Sequence, residues 1–456
     1  MKIAFLTLGC KLNYAETSTY ERGFVREGFV VTDWEDKEAD VYLVNTCSVT
    51  ERAEKKCRNV IRKVHRVSPG AAIVVTGCYA QLRREEIGAI EGVSLVFGAN
   101  EKTRVVPDTI EYLGGLQRRV LSQTGKSLPD LAPLDPGPSR SPGHGRPGPP
   151  GTVPSAADSK NILRAYSSDE RTRSFLKVQD GCNNFCAYCT VPYARGRSRN
   201  IPVADAVAQA REIAATGIKE IVLTGVNTGD FGRTTGESFL ELLKRLEDVE
   251  GIERYRISSI EPNLITEEIV DWIASGTKFQ PHFHIPLQSG SDTILRRVGR
   301  RYDTALFASR IEYIRSRMDP GEDDPLKPYV FFGIDVIAGL PGETDELFDE
   351  TYSFLRDRIR PAFIHIFPYS RRPGTPAAAW KDQVRDSVKT ERVAVLEGLC
   401  AGLNAGFIEK NRGRRSSVLW ESDVKDGLMG GYSGNFIRVE RPYDPARVNT
   451  IEEIVI

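Results

Sequence analysis

Apolar residues fall in short bursts along most of this chain, separated by stretches of helical period. "KIAFLTLG", "DVYLVNT", "AAIVVTG" and "VSLVFG" are strand-sized and end in Gly or a polar turn signal. Between them, "NYAETSTYERGFVREG" and "TERAEKKCRNVIRKVHRV" repeat apolar residues every three or four positions, as amphipathic helices do. The alternation predicts a small parallel α/β sheet over residues 1–112. It resumes near residue 171 with "SFLKVQ", "EIVLTG", "YRISSI", "HFHIPL", "FFGIDVIAG" and "FIHIFP", each but the last followed by a helical pattern. Six such units predict an incomplete (β/α)6 barrel over residues 171–395, with its chemistry at the C-terminal ends of the strands.

Two regions break the rhythm. Residues 113–170 include "SLPDLAPLDPGPSRSPGHGRPGPPGTVPSAADSK", too rich in Pro, Gly and Ser to bury a core, and are expected to be a disordered linker or insertion. Residues 396–456 are expected to hold a helix and then a small β-barrel built from "SSVLWES", "NFIRVERP" and "TIEEIVI", with Gly-rich turns such as "DGLMGGYSGN".

Composition narrows the class. With 456 residues, 40% hydrophobic and 27% charged, the chain reads as a multidomain globular protein. No apolar run approaches the roughly 20 residues of a spanning helix, so no membrane role is expected. "MKIAFLTLGC" is followed by no small-residue cleavage site and reads as a buried first strand. Eight cysteines are too sparse for a disulfide scaffold; without an export signal they are expected to stay reduced in the cytoplasm, available for metal or redox chemistry. The 62 basic and 62 acidic residues cancel, so any nucleic-acid footprint must be local.

The chemistry concentrates in "GCNNFCAYCTVPYARGRSR", which sets Cys182, Cys186 and Cys189 in a C-x3-C-x2-C spacing just past the first barrel strand. Three thiolates can hold three irons of a [4Fe-4S] cluster, whereas an electron carrier normally supplies four. The missing ligand leaves one iron open to a substrate or cofactor, as in other catalytic metal sites. The competing reading is a zinc knot completed by a distant ligand, and no His or further Cys lies near in sequence to complete one. Cys10, Cys47 and Cys78 each end a different predicted strand, and in a parallel sheet those ends share one edge, so the three are expected to converge on a second iron site. Cys57 and Cys400 lie inside helical patterns and are expected to be core thiols. His282 and His284 alternate along one strand; most such histidines are satisfied core residues, and neither is assigned a role.

The C-x3-C-x2-C spacing, with the aromatic Tyr188 before its last cysteine, resembles the radical S-adenosylmethionine (SAM) superfamily. That resemblance implies a [4Fe-4S] cluster whose open iron takes the amino and carboxylate groups of SAM. It also implies SAM contacts at successive strand ends, from Gly225 and Asn227 in "LTGVNTG", Ser259 and Glu261, Gln288 and Ser289, and Gly339 in "IAGLPGE". Together, "LGCKLN", "NTCSV", "TGCYAQ", "HIPLQSGSD", "GLPGET" and "FPYSRRPGTPA" resemble the methylthiotransferase family, with "GCKLN" most similar to the branch acting on N6-threonylcarbamoyladenosine in tRNA. The resemblance implies replacement of an adenine C2 hydrogen by a methylthio group, using two [4Fe-4S] clusters, two SAM, an external reductant and a sulfur donor. It likens the C-terminal strands to an RNA-binding TRAM module, although the tail looks short for one. The expected tRNA contacts are Arg195, Arg197 and Arg199 beside the cysteine loop and Arg412, Arg414 and Arg415 before the tail, with Tyr432 and Phe436 as stacking faces. Isopentenyladenosine in tRNA and a ribosomal-protein aspartate remain alternative substrates, and an RNA-binding iron-sulfur redox protein is the non-enzymatic alternative.

Overall fold

The computed structural model describes residues 1–124, 162–168, 172–324 and 326–456. It divides into two compact units. The first comprises Met1–Ser167, Asp180–Asn183 and Cys189–Arg199; the second comprises Ser168–Gln179, Asn184–Tyr188 and Asn200–Ile456.

The first unit is built on five parallel strands: β1 (Lys2–Thr7), β2 (Val30–Thr32), β3 (Val41–Thr46), β4 (Ala72–Gly77) and β5 (Val93–Val96). Their spatial order is β2-β1-β3-β4-β5. In this order the chain winds one way from β1 to β2 and the other way from β3 to β5. The crevice at the β1/β3 switch point, outside the strands' carboxyl ends, is where such sheets bind ligands. Every residue of β3 and β4 is buried, because helices cover both faces. One core forms around Tyr42, Val44, Ile61, Ile73 and Val75, and the other around Ile3, Phe24, Leu43, Val74 and Phe97. Helix α1 (Lys11–Arg26) leaves β1, and α2 (Glu51–Val67) leaves β3, with the Thr50 side chain accepting the Ala53 N–H at 3.1 Å as its N-cap. Helix α3 (Cys78–Leu82) follows β4 directly.

The boundary expected at residue 112 needs correction. Helix Val105–Thr124 runs through it, tolerating Gly114 and Gly115 in mid-helix. Ala165–Tyr166 is also ordered, its backbone held by Thr19 and Arg22 of α1. Residues 125–161, most of the expected linker, lie outside the described residues.

The second unit carries the six expected parallel strands, here β6 (Arg173–Lys177), β7 (Glu220–Thr224), β8 (Arg254–Ile257), β9 (His282–Gln288), β10 (Phe331–Ala338) and β11 (Phe363–Pro368). The first three form one sheet and the last three another. A parallel bridge between Tyr255 and Phe279 and the Ile260 N–H to His284 carbonyl bond (3.1 Å) link the two. Four antiparallel strands follow: β12 (Arg415–Lys425), β13 (Leu428–Ser433), β14 (Arg438–Pro442) and β15 (Ile451–Val455), in the order β14-β13-β12-β15. "LMGGYS", expected to be part of a turn, is strand β13. A Cβ on Gly431 would lie 2.6 Å from Val418 and 2.7 Å from Trp420, so glycine there serves close strand packing. No helix among the described residues is long and apolar enough to cross a membrane.

Candidate metal centres

The three strand-end cysteines meet at the carboxyl edge of the first sheet. Leu8 N–H donates to the Asn45 carbonyl at 2.9 Å, which runs the loop after β1 along the end of β3. Gly9 follows at φ +117°, and a Cβ on it would lie 2.8 Å from the Cys47 Cβ, so only glycine allows this approach. Cys10 is then the N-cap of α1, Cys47 follows β3, and Cys78 opens α3 behind Gly77 at φ +102°. Asn13 ties the first two loops together, donating to the carbonyls of Leu8 (2.8 Å) and Thr46 (3.1 Å). Burial pushes the Cys47 thiol up to about 12, and the neighbouring Cys78 and Cys10 add to the shift. Cys78 is raised by burial as well, while Arg195 and Lys102 pull it back. Neighbouring thiols of which two, Cys47 and Cys78, are buried while Cys10 is exposed suit a multivalent cation or cluster that neutralises them together. Cys57 does not join them: it lies on α2 with its thiol 3.7 Å from the Cys47 carbonyl.

A buried charge lattice backs this edge. Arg195 reaches Asp180 at 2.9 Å, Glu16 at 3.2 Å and the Asn13 side-chain oxygen at 2.5 Å. Lys102 reaches Glu16 at 2.7 Å and Asp180 at 3.7 Å, and Arg199 reaches Asp180 at 3.4 Å. All five charged side chains are at most 4% exposed, and cations outnumber carboxylates three to two. The excess positive charge suits an assembly of thiolates. This arrangement corrects two expectations: Arg195 and Arg199 are enclosed and ion-paired and present no face to RNA, whereas Arg197 is exposed.

The cysteine loop is divided between the units. In the first unit, Cys182 N–H donates to the Gly196 carbonyl at 3.1 Å, and Cys189 Sγ accepts the Val191 N–H at 3.4 Å. In the second, Ala187 is pinned by bonds to Val298 and Ala377, both 2.9 Å. Buried Cys186 Sγ accepts from the Arg300 guanidinium at 3.2 Å, which also reaches the Tyr188 hydroxyl at 3.4 Å. Glu261 holds that guanidinium at 2.6 Å and accepts from Asn184 at 2.7 Å. N–H donors aimed at sulfur stabilise thiolate and tune a cluster bound to it.

The other expected cofactor residues lie at the barrel's strand ends. Gln179 accepts the N–H groups of Val226 (2.8 Å) and Asn227 (3.0 Å), and its side chain packs where a Gly225 Cβ would be, 2.9 Å away. The Asn227 side chain accepts the Glu261 N–H at 3.4 Å, joining the ends of β7 and β8. Gln288 is held at φ +73°, a strained conformation for a residue with a Cβ. Ser259 faces His284 at 3.4 Å. Buried Ser289 braces Thr351 at 3.2 Å and accepts the Ser291 N–H at 3.2 Å. Gly339, at φ +79°, makes room for Lys389, and its N–H donates to Glu343, whose carboxyl burial pushes up to about 7 against the pull of Arg392.

Of the second basic patch, Arg412 and Arg415 are exposed, while Arg414 stacks on Tyr329 at 4.4 Å and caps the Lys410 and Lys327 carbonyls. The stacking faces expected for RNA are occupied. Tyr432 and Phe436 stack on each other at 4.8 Å, with Arg173 over both rings, and Arg254 and Arg256 bond to the carbonyls beside them. These groups dock the C-terminal sheet on the barrel.

Sequence reasoning missed Asn13, Glu16, Lys102, Asp180 and Arg300. Asn13 stood within "GCKLN", and polar Glu16 falls one turn later on the same helix face. Arg300 lies 114 residues from the sulfur it touches, with no spacing signal to mark it.

Comparison with known proteins supplies an independent line. Residues 2–98 match the family described as Uncharacterized protein family UPF0004, and residues 176–355 match the Radical SAM superfamily. Threonylcarbamoyladenosine tRNA methylthiotransferase MtaB of Bacillus subtilis is 36% identical over 96% of this chain and 89% of its own length. The protein of the same name from Thermotoga maritima is 34% identical over 95% and 90%. The tRNA-2-methylthio-N(6)-dimethylallyladenosine synthase of Carboxydothermus hydrogenoformans is 30% identical over 92% and 88%. Among solved structures, the radical SAM methyltransferase TsrM of Kitasatospora setae shares the fold, with a TM-score of 0.54 at 17% identity over 83% of this chain and 75% of that one.

Proposed function

Since the chain belongs to the radical SAM methylthiotransferases, we propose that it replaces the C2 hydrogen of N6-threonylcarbamoyladenosine at tRNA position 37 with a methylthio group. Membership in this family brings a [4Fe-4S] cluster and SAM. Cys182, Cys186 and Cys189 would hold that cluster, and Cys10, Cys47 and Cys78 a second one. Bound there, the clusters and SAM supply the reducing and radical chemistry that an unactivated carbon-hydrogen bond requires and no side chain can provide.

The protein's own groups have narrower tasks. Arg300, held by Glu261, donates to the Cys186 sulfur. Arg195 and Lys102 favour the thiolate of Cys78. Asn13, Gly9 and Gly77 hold together the strand-end loops that carry the three sulfurs. Gly225, Asn227, Gln288 and Gly339 are proposed to line the SAM side of the barrel, and exposed Arg197, Arg412 and Arg415 to meet tRNA phosphates.

The observation that carries this reading is the convergence of three strand-end cysteines in addition to the C-x3-C-x2-C loop, because a radical SAM enzyme that only cleaves SAM needs one such group. Identity to the threonylcarbamoyladenosine enzymes over nearly the whole chain favours that substrate. The test is anaerobic incubation of the reconstituted protein with SAM, a reductant, a sulfur source and tRNA bearing threonylcarbamoyladenosine, followed by mass spectrometry of the nucleosides. A methylthio group gained on that nucleoside is expected. Gain only on isopentenyladenosine would reassign the substrate, and gain on neither, with SAM cleaved, would turn the search to a ribosomal-protein aspartate.

A further inference from the structure

Beyond both cysteine groups, the second unit brings two histidines and an aspartate together on three neighbouring strands. His284 on β9, Asp335 on β10 and His365 on β11 place one ligand-type atom each within 4.8 Å of the others. The strand register produces this. Asp335 lies opposite His365, and His284 lies opposite Gly333, two residues before Asp335 and therefore on the same face of β10. Gly333 is what opens the space: a Cβ built on it points between the rings, 3.7 Å from His365 Nε2 and 4.0 Å from His284 Cδ2. Any larger side chain would fill the gap that the two imidazoles border.

His284 has an oxygen neighbour at each ring nitrogen. Its Nδ1 lies 3.4 Å from Ser259 Oγ, and its Nε2 lies 2.6 Å from Asp335 Oδ1. The short contact is an Nε2–H donated to the carboxylate, and a cation entering between the two atoms would take that proton's place, with Nδ1 turned to the serine oxygen. An imidazole oriented through its other nitrogen by an oxygen is the usual outer arrangement of metal-bound histidines.

We propose that His284, Asp335 and His365 form a binding site for a divalent first-row transition-metal ion, separate from both iron-sulfur sites. Two imidazoles and one carboxylate suit Zn(II) or Fe(II), and three protein ligands leave at least one position for an oxygen ligand. Metal entry displaces the His284 Nε2–H and parts the two ligand atoms to about 3.3 Å, the edge of a tetrahedron with bonds of about 2 Å. Side-chain exposures of 20% for His284 and 18% for Asp335 leave the site open to solvent.

The test uses full-length protein with its clusters reconstituted, so that the cluster cysteines are already occupied. It is equilibrated with zinc sulfate, desalted and analysed for zinc and iron by mass spectrometry. Wild type is expected to retain one zinc per chain beyond its iron. His284→Ala, His365→Ala and the near-isosteric Asp335→Asn should each weaken zinc binding at least about tenfold with iron content unchanged, and Ser259→Ala by about tenfold. The surface variant His65→Ala should bind as wild type. No retained zinc in the wild type, or equal zinc in wild type and Asp335→Asn, would overturn the proposal. Neither result bears on methylthiolation, which is read separately from the nucleosides.

Discussion

The strand-end cysteines and the loop cysteines are grouped by opposite routes. Cys10, Cys47 and Cys78 are scattered along the first unit and meet only because a parallel sheet gathers its strand ends. Cys182, Cys186 and Cys189 are neighbours in the chain before anything folds. The surroundings differ accordingly. The gathered group sits on a lattice of five buried charges drawn from residues as far apart as Glu16 and Arg199. At Cys186, among the described residues, the Arg300 guanidinium donates to the sulfur and the Glu261 carboxylate holds it. A site assembled by tertiary structure needs its supporting groups buried and mutually satisfied.

If that contrast is right, Arg195→Ala should be the most damaging change outside the cysteines. It takes from Glu16 and Asp180 one of their buried cationic partners and leaves Lys102 and Arg199 to hold them, which costs about 1–3 kcal/mol, and Arg195→Lys should recover part of it, both read from urea midpoints. Wild-type stability after either change would mean the lattice is dispensable and the contrast false. Dependence on pH sharpens the comparison from the barrel side. Glu343 titrates at about 7 in the fold, above its ordinary 4.5, so the folded state binds the extra proton between those values and stability falls as pH rises through that window. Relative to Glu343→Gln, wild type should lose about 2.5 kcal/mol between pH 5 and pH 8. Equal slopes for the two proteins would remove Glu343 as the source.

Arg300→Gln should act on redox chemistry rather than on the strand-end group. Losing a cationic donor to sulfur disfavours the reduced, more negative cluster, so its potential should fall and SAM cleavage should slow about tenfold. Potentiometric titration followed by electron paramagnetic resonance reads the shift, and an unchanged potential would deny Arg300 this role. The smallest effects belong to the surface. Arg197→Ala and Arg412→Ala should each weaken tRNA binding about threefold and flatten its salt dependence by about one phosphate contact. Larger losses would show that the arginines beside the loop do more than meet phosphates.

Much of this was legible in the chain itself. The strand bursts located the sheet and the barrel, and three bursts ending in cysteine placed the gathered group at one edge. The supporting charges were hidden because charged residues are read as surface by default. "ARGRSR" looked like an RNA patch, and the carboxylates that enclose two of its arginines include Glu16, 179 residues from Arg195. Glycine misled twice for a related reason. Its tendency to mark turns outweighed the alternatives at Gly114–Gly115, where the helix continues, and at Gly430–Gly431, where a strand needs close packing. His284 was set aside as a core histidine, and its partners Asp335 and His365 become neighbours only through strand register.

The most direct test of the central claim, that the gathered cysteines serve sulfur insertion and the loop cysteines serve SAM cleavage, is a paired product count on Cys47→Ala. The reconstituted variant is incubated anaerobically with SAM, reductant, sulfur source and substrate tRNA, and 5′-deoxyadenosine and methylthiolated nucleoside are quantified in the same sample. The account predicts continued 5′-deoxyadenosine formation with no methylthiolated product. Methylthiolation at the wild-type level would contradict it.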